Sequence, residues 1–393
     1  MTDWPNGGSA GPRPDPTRVM PTDQRGGHSG YAGYDSGYNT GQVYAGSGYG
    51  GPGRGGFGPG DPGPGGAGPV DWGRRIKVGL ITLLVVVLVW SVGTYFWADS
   101  KLRREVDLGI VQDRPEEGEG TTYLIVGSDS REGLSSEERK KLRTGSAGGK
   151  RTDSMILLHV GGQGTTMISL PRDSWVTIPE FTGSETGKTF PSPGARKLNA
   201  AYSMDGAPLL VRTIEYNTGL RIDHYAEIGF GGFAEIVDAV GGVELDIPRD
   251  IKDEKSGADF KKGRQTLDGA QALAFVRNRY EAGSDLERTK NQQKFLAALA
   301  NQTATPSTVL NPFRLYPTMS AGLDTLIVDE DMGLFDLASM FWAMKDVTGG
   351  EGTSMNMPIA GSAPQGSLKW DMEKVKLLVG QLKNGEKVTV GSD

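Results

Sequence analysis

The sequence predicts a layered α-β-α domain of the α/β class with a central mixed sheet, preceded by one transmembrane helix and a disordered N-terminal tail. Three observations predict it. Beyond Gly120, short aliphatic or β-branched runs alternate with longer stretches of helical periodicity; an unbroken apolar run lies between Ile76 and Ala98; and a Gly/Pro-rich segment precedes that run.

The 393-residue chain carries its glycine unevenly, and residues 1–75 hold 23 Gly and 10 Pro. Such a segment has too little apolar surface to offset the entropy of ordering, so it is expected to remain disordered as a solvated tether. Its tyrosines, Tyr31, Tyr34, Tyr38, Tyr44 and Tyr49, are spaced through Gly and Ser. The string Gly7-Gly8-Ser9-Ala10-Gly11 matches the serine-hydrolase pattern GxSxG only by accident, because no strand precedes it and no helix follows.

From Ile76 to Ala98 there are 23 residues with a single charge, Lys77, at one edge. About 20 apolar residues cross the hydrocarbon core, and Trp90, Tyr95, Phe96 and Trp97 cluster at one end as an interfacial belt does. The run is too long and too far along the chain for a cleaved signal peptide. Arg74, Arg75 and Lys77 before the span nearly balance Lys101, Arg103 and Arg104 after it, so charge alone leaves its orientation almost undecided. Residues 99–119 read as a juxtamembrane linker, 120–385 as one domain, and 386–393 as a flexible C-terminus.

Within the domain, TTYLIVG, SMILLHV and TTMISLP are bounded by Gly or Pro and read as buried strands. Helical periodicity marks PLLVRTIEY, GFAEIVDAV, LDGAQALAFV, the stretch from Asp285 to Gln302, LFDLASMFWAM and MEKVKLLVGQL. The break at Pro306, Pro312 and Pro317 is a candidate domain boundary, but the segment after it has too little apolar content to stand alone and is read as part of the same domain.

Composition excludes several chemistries. There is no cysteine, hence no disulfide and no thiolate, and the three histidines are too few for a histidine-rich metal site. A net charge of −6 argues against a nucleic-acid partner held by a broad basic surface. His159, inside an apolar run, reads as a core residue, and His224 as either core or site. Gly183-Ser184-Glu185-Thr186-Gly187-Lys188-Thr189 imitates a P-loop, but it is one spacer short, and Pro191 and Pro193 forbid the helix that would receive the phosphate.

Charged residues at strand edges carry the remaining signal, since ligand sites in open α/β sheets gather there. Asp129 and Asp153 flank neighbouring strand ends, a donor set suited to a hard divalent cation such as magnesium. Arg277 and Arg279, two apart, share one side of an extended stretch. With Arg151, Arg172 and Arg288 they would form an anion clamp, because guanidinium forks match phosphate oxygens and stay charged. Any single pair here, such as Arg151 with Asp153, reads equally as an ordinary ion pair.

At these residues the chain resembles the LytR-CpsA-Psr family of bacterial cell-envelope proteins. The resemblance rests on YLIVGSDSR, KRTDSMILLHV, ISLPRDSWV, KLNAAYS, HYAEIGFGGFAEIVDAVGGVELDIP, LDGAQALAFVRNRY and DLERTKNQQKFL, in the family's order, over about Thr121 to Gln302. It implies a cytoplasmic N-terminus, a single-pass anchor in the cell membrane and an extracytoplasmic domain. It also implies a transferase that moves a glycopolymer from a polyisoprenyl-diphosphate carrier to the muramic acid 6-hydroxyl of peptidoglycan. By the same resemblance Asp129 and Asp153 place Mg2+, with Mn2+ the alternative. Arg151, Arg172, Lys197, Arg277, Arg279 and Arg288 grip the diphosphate, Asp285 orients those arginines, and Arg277, Arg279, Asp129 and Asp153 form the catalytic set. Where many members have Arg-Gln-Gln, this chain has Asn291-Gln292-Gln293, which puts that arginine's contact in doubt. A prenyl chain needs an apolar slot, and PLLVRTIEY, GFAEIVDAV and FLAALA have the composition to line one. A non-catalytic lipid-diphosphate scaffold and an envelope-linked transcriptional attenuator are the rival readings.

Overall fold

A computed structural model describes residues 71–131, 134–144, 151–254, 256–278, 292, 294–296, 298–302 and 311–391. The predicted tail lies outside the described residues as far as Val70. Asp71 caps the first helix, α1 (Trp72–Asp99), by accepting from the Arg74 N–H, so the apolar span begins a turn earlier than its composition suggests.

Seven strands form the central sheet. In chain order they are β1 (Arg103–Val106), β2 (Thr121–Ser128), β3 (Thr152–Gly161), β4 (Gly164–Leu170), β5 (His224–Ile228), β6 (Leu326–Asp329) and β7 (Thr353–Asn356). Their spatial order is β1-β6-β5-β2-β3-β4-β7, with parallel ladders at β1-β6, β5-β2 and β4-β7 and antiparallel ladders at β6-β5, β2-β3 and β3-β4. The linker expected over 99–119 is therefore corrected. Arg103–Val106 adds an edge strand parallel to β6, because Leu102, Val106 and Leu108 find apolar partners on the sheet.

The period of two along each strand divides the core between the faces. Leu124 and Val126 join Met155, Leu157 and Ile168 on one face, beneath helices α3 (Leu198–Thr218) and α8 (Met372–Lys383). Tyr123 joins Ile156, Leu158 and Met167 on the other face, beneath α6 (Pro312–Thr325), α7 (Leu334–Gly349) and the end of α1. Between these come the short α2 (Ser136–Lys141), then α4 (Phe230–Ala239) and α5 (Gly269–Arg277). With the ribbons 243–247/263–267 and 251–253/258–260, α4 and α5 enclose a third apolar cluster around Phe275 and Phe295.

Local chemistry explains three departures from the sequence reading. α3 starts at Leu198, ten residues before PLLVRTIEY, and kinks at Asp205-Gly206, where Gly206 takes φ +63° ahead of Pro208. Two of the three prolines at the expected break lie in a helix, the third, Pro306, being outside the described residues: Asn311 caps α6, Pro312 occupies the first turn where its missing N–H costs nothing, and Pro317 lies inside the helix. The C-terminal segment expected to be flexible packs against α8 as far as Val390. Val388 and Val390 join the core, and Gln381 holds Thr389 through two hydrogen bonds. His159 sits in the core as expected, with Nδ1 on the Thr122 hydroxyl at 3.0 Å.

His224 stacks on Tyr123 and sits 3.3 Å from the buried Asp329, which also accepts from the Tyr225 N–H at 2.8 Å. Burial opposes its charge, but the hydrogen bond to Asp329 and the charges of Asp329, Asp336 and Asp223 outweigh burial and raise its pKa above the usual 6.5. A raised folded-state value means that this stabilisation is complete below 6.5 and is lost as pH climbs through the raised value. The stability gap between wild type and His224→Gln in thermal unfolding should be widest in acid and narrow with rising pH; a gap independent of pH contradicts the assignment. At the α4–α5 contact, a Cβ on Gly269 would lie 2.3 Å from the Ala234 carbonyl oxygen. Gly269→Ala should destabilise the fold by about 1–3 kcal/mol in chemical denaturation, the usual range for overpacking, and a neutral result would show that the helices part freely.

Candidate active site

The polar centre is built where β2 and β3 stop pairing. Gly127 faces Ser154 and Ser128 faces Thr152, so Asp153 is the extra residue of a β-bulge. A bulge re-aims side chains out of strict alternation, and here Asp153 and Ser154 both line one cavity. Just beyond, the Asp129 N–H donates to the Arg151 carbonyl at 2.8 Å, and the Arg151 N–H returns a bond to Asp129 Oδ1 at 2.7 Å. This reciprocal pair fixes the Asp129 carboxylate at the strand end.

The cavity holds about 1230 Å³ between the sheet, α4, α5, the 250–254 segment and Ser256. Ile125, Ile156, Phe230, Phe233, Leu273 and Phe295 give it apolar walls, while Lys252 and Arg277 supply cations, Asp153, Asp250, Asp253 and Glu254 carboxylates, and Ser128 and Gln292 neutral polar groups. Of the three segments expected to line an apolar slot, GFAEIVDAV contributes Phe233 and FLAALA contributes Phe295 and Leu296. PLLVRTIEY does not: Leu209, Leu210 and Ile214 are buried under the opposite face of the sheet. Its periodicity marked core packing, which has the same composition as a lipid slot.

The cations arrive already matched with acceptors. Arg277 ends α5, lies with its guanidinium 4.7 Å over the Phe230 ring, and donates to the Leu142 and Arg143 carbonyls at 3.3 and 3.4 Å. Arg172 donates to Asp153 Oδ1 at 2.5 Å and approaches Asp173 at 3.5 Å. Lys197 closes the chain on Asp173 at 2.8 Å. Burial tends to raise the Asp173 carboxyl, but the Lys197 hydrogen bond and the Arg172 and Lys197 charges prevail and lower it. Arg151 is exposed. The expected simple crowd of positive charge is thus a mixed network, in which Lys197, Asp173, Arg172 and Asp153 form one continuous relay. Arg279, Asp285 and Arg288 lie outside the described residues, as do Asn291 and Gln293.

Two features escaped the sequence reading. Arg131 stands with its guanidinium 3.9 Å from Asp129 Oδ2 and its Nε on the Thr144 carbonyl; its place in GSDSR, directly after a strand, was the available signal. Glu227 is a buried carboxylate accepting from both Tyr202 and Tyr225 at 2.6 Å. Burial raises both tyrosine hydroxyls, and the Glu227 charge pushes them the same way, so both act as donors. Ser128 hydrogen-bonds the Tyr202 oxygen, joining this buried network to the cavity wall. Nothing in HYAEI distinguished that glutamate from a surface one.

Asp129 and Asp153 are hard oxygen donors, and among the described residues no group of three or more His, Cys, Asp or Glu side chains could hold a metal. One or two carboxylates are the protein ligands magnesium takes when water and phosphate oxygens complete its shell, and Asp129 and Asp153 are of that chemical type.

The profile of the LytR_cpsA_psr family matches residues 98–384, a span that begins before β1 and closes with α8. The chain is 42% identical over 272 residues to the probable cell wall biosynthesis protein LcpB of Corynebacterium glutamicum, covering 69% of this chain and 60% of that protein. It is 33% identical over 206 residues to the polyisoprenyl-teichoic acid–peptidoglycan teichoic acid transferase TagV of Bacillus subtilis (strain 168), covering 50% of each. It therefore spans between half and three fifths of these relatives. Among solved structures, a LytR-Csp2A-Psr enzyme from Actinomyces oris shares the fold, with a TM-score of 0.52 at 22% identity over 72% of this chain and 96% of that one. With the family profile running from the end of α1 to the last helix, this chain belongs to the LytR_cpsA_psr family.

Proposed function

We propose that the protein is a membrane-anchored phosphotransferase that moves a glycopolymer from a polyisoprenyl-diphosphate carrier to peptidoglycan, releasing polyprenyl phosphate. The observation that carries this reading is one cavity with aromatic and aliphatic walls and with Asp153 and Arg277 among its polar groups. An apolar chain terminating in a diphosphate has that same division of chemistry. The transferase name borne by TagV supports the reaction class, and the apolar helix α1 supports a substrate confined to a bilayer. The N-terminus is taken as cytoplasmic and the domain as extracytoplasmic, the side on which peptidoglycan lies.

In this reading the acceptor hydroxyl attacks the sugar-linked phosphorus; a new P–O bond forms as the bond to the bridging oxygen breaks, and the prenyl phosphate leaves with that oxygen. The acceptor proton passes to a rim carboxylate. Either Asp129 or Asp153 can serve, each having one oxygen already engaged, Asp129 Oδ1 by the Arg151 N–H and Asp153 Oδ1 by Arg172. Phosphoryl transfer demands positioning and neutralisation of charge more than covalent help. Arg277 holds one side of the diphosphate from the end of α5, Arg172 and Lys197 extend the positive side through their carboxylate relay, and Arg151 reaches from solvent. Arg279, Arg288 and the orienting Asp285 complete the proposed clamp. Asp129 and Asp153 would hold magnesium, or manganese in its place, which when bound neutralises charge on the phosphate oxygens.

Turnover of the full chain on a short polyprenyl-diphosphate-linked saccharide, followed by release of prenyl monophosphate with magnesium present, tests the reading. Arg277→Ala should lower turnover roughly a hundred- to a thousandfold, the range seen when one charge-stabilising donor is removed, with the melting transition retained. Asp153→Asn should lower it comparably. Wild-type turnover in both variants would dismiss the site. Tight binding with no turnover in the wild type would favour the scaffold reading.

A further inference from the structure

We propose that the first turns of α6 and α7 form a bilayer-docking surface, which seats the domain on the headgroup–acyl boundary of the leaflet from which α1 emerges. The proposal rests on α1 being the membrane span. Four observations carry it.

First, α1 is fastened to the domain. Ala98 is buried with Leu102 in the core cluster under α6 and α7, and the ring of Trp97 meets Tyr316 edge-on at 4.9 Å. The Thr94 hydroxyl bonds the Tyr316 hydroxyl at 2.5 Å, and Tyr95 packs against Phe335 at 5.8 Å. The angle of entry into the membrane is thereby fixed relative to the domain.

Second, the contact extends up the apolar run. Trp90 reaches Tyr316 at 6.4 Å. It lies nine residues before Asp99, about 13 Å along the helix axis at 1.5 Å per residue. The first turn of α6 therefore stands at the depth of α1's aromatic belt, where Trp and Tyr mark the membrane boundary.

Third, large apolar side chains next to that contact face away from the core. Phe313 is 89% exposed and Phe335 77%, the two most exposed large hydrophobic side chains of the described domain. Isolated exposed side chains need no explanation, but Phe335 adjoins α1 through Tyr95, and Phe313 lies three residues before Tyr316, on the helix face that meets α1.

Fourth, the flanking chemistry suits lipid headgroups. Arg314 follows Phe313, and Lys345 lies 4.8 Å over the ring of the half-exposed Trp342. Aromatic rings with adjacent cations are the composition of an interfacial helix.

The placement bears on the cavity, because α6 is also the helix that backs α4. Thr318 donates to the Ala239 carbonyl, and a Cβ on Gly232 would meet Thr325 at 2.5 Å. Phe233 of α4 lines the cavity. One face of this helix layer thus meets lipid while the other walls the site, which sets the height of the cavity above the bilayer.

The chain has no cysteine, so a single cysteine can be labelled without background. Full-length protein in phosphatidylcholine/phosphatidylglycerol vesicles would carry a fluorophore at Phe313→Cys, Phe335→Cys, Val86→Cys or Tyr216→Cys. A nitroxide lipid then reports contact with the acyl region. Labels at 313 and 335 should be quenched about twofold or more by a nitroxide near the headgroup, and the label at 86 by a deeper nitroxide, while 216, on the exposed side of α3, stays unquenched. Quenching at 86 with none at 313 and 335 overturns the docking surface, including the case where a second copy of the chain shields those positions from lipid. No quenching at 86 overturns the span and the docking surface together.

Discussion

Where β2 and β3 separate, two adjacent irregularities constrain everything chemical in the molecule. The bulge at Asp153 removes one residue from the ladder, and the reciprocal hydrogen bonds between Asp129 and Arg151 reclose the strands immediately beyond it. A regular ladder would send Asp153 and Ser154 to opposite faces. The bulge instead lets the Asp153 carboxylate line a cavity that has an apolar wall on the sheet and α4 side and charged groups from the 250–254 segment and α5. Because the two strands lie inside the sheet, with β5 on one flank and β4 on the other, the position of that carboxylate is set by hydrogen-bonded central strands.

Charge balance follows from the same arrangement. Five unpaired cations would repel one another strongly in an empty pocket. Apart from the exposed Arg151, the described ones avoid this by binding carboxylates and helix-end carbonyls: Arg172 on Asp153, Lys197 on Asp173, and Arg277 on the Leu142 and Arg143 carbonyls. Such contacts hold guanidinium groups near fixed positions before any anion arrives. An incoming diphosphate would then exchange one set of acceptors for another, with little reorganisation of the cations.

The sequence made the layers legible because burial on both faces leaves continuous aliphatic runs, and TTYLIVG, SMILLHV and TTMISLP became β2, β3 and β4. It hid the edges. RREV is charged enough to look like linker, yet a strand of four residues needs only Val106 inward to join a sheet. It also hid which helices face the cavity, since PLLVRTIEY and GFAEIVDAV have equal claim by periodicity, and only the tertiary arrangement sends one under each side of the sheet. Among the site residues, Asp129, Asp153 and Arg277 stood out as charges at the ends of apolar elements. Glu227 did not, because its partners Tyr202 and Tyr225 come from a helix start and a strand whose pairing leaves no local trace.

The account stands on one cavity accepting a hydrocarbon chain and a diphosphate together. Calorimetric titration of the full chain with geranylgeranyl diphosphate, geranylgeranyl monophosphate and geranylgeraniol, in magnesium, measures the two contributions separately. The expected result is affinity that falls at each step as phosphate is removed, with the diphosphate about tenfold or more tighter than the alcohol. Equal affinity for all three would contradict the account, because the carboxylates and arginines would then have no part in holding the ligand.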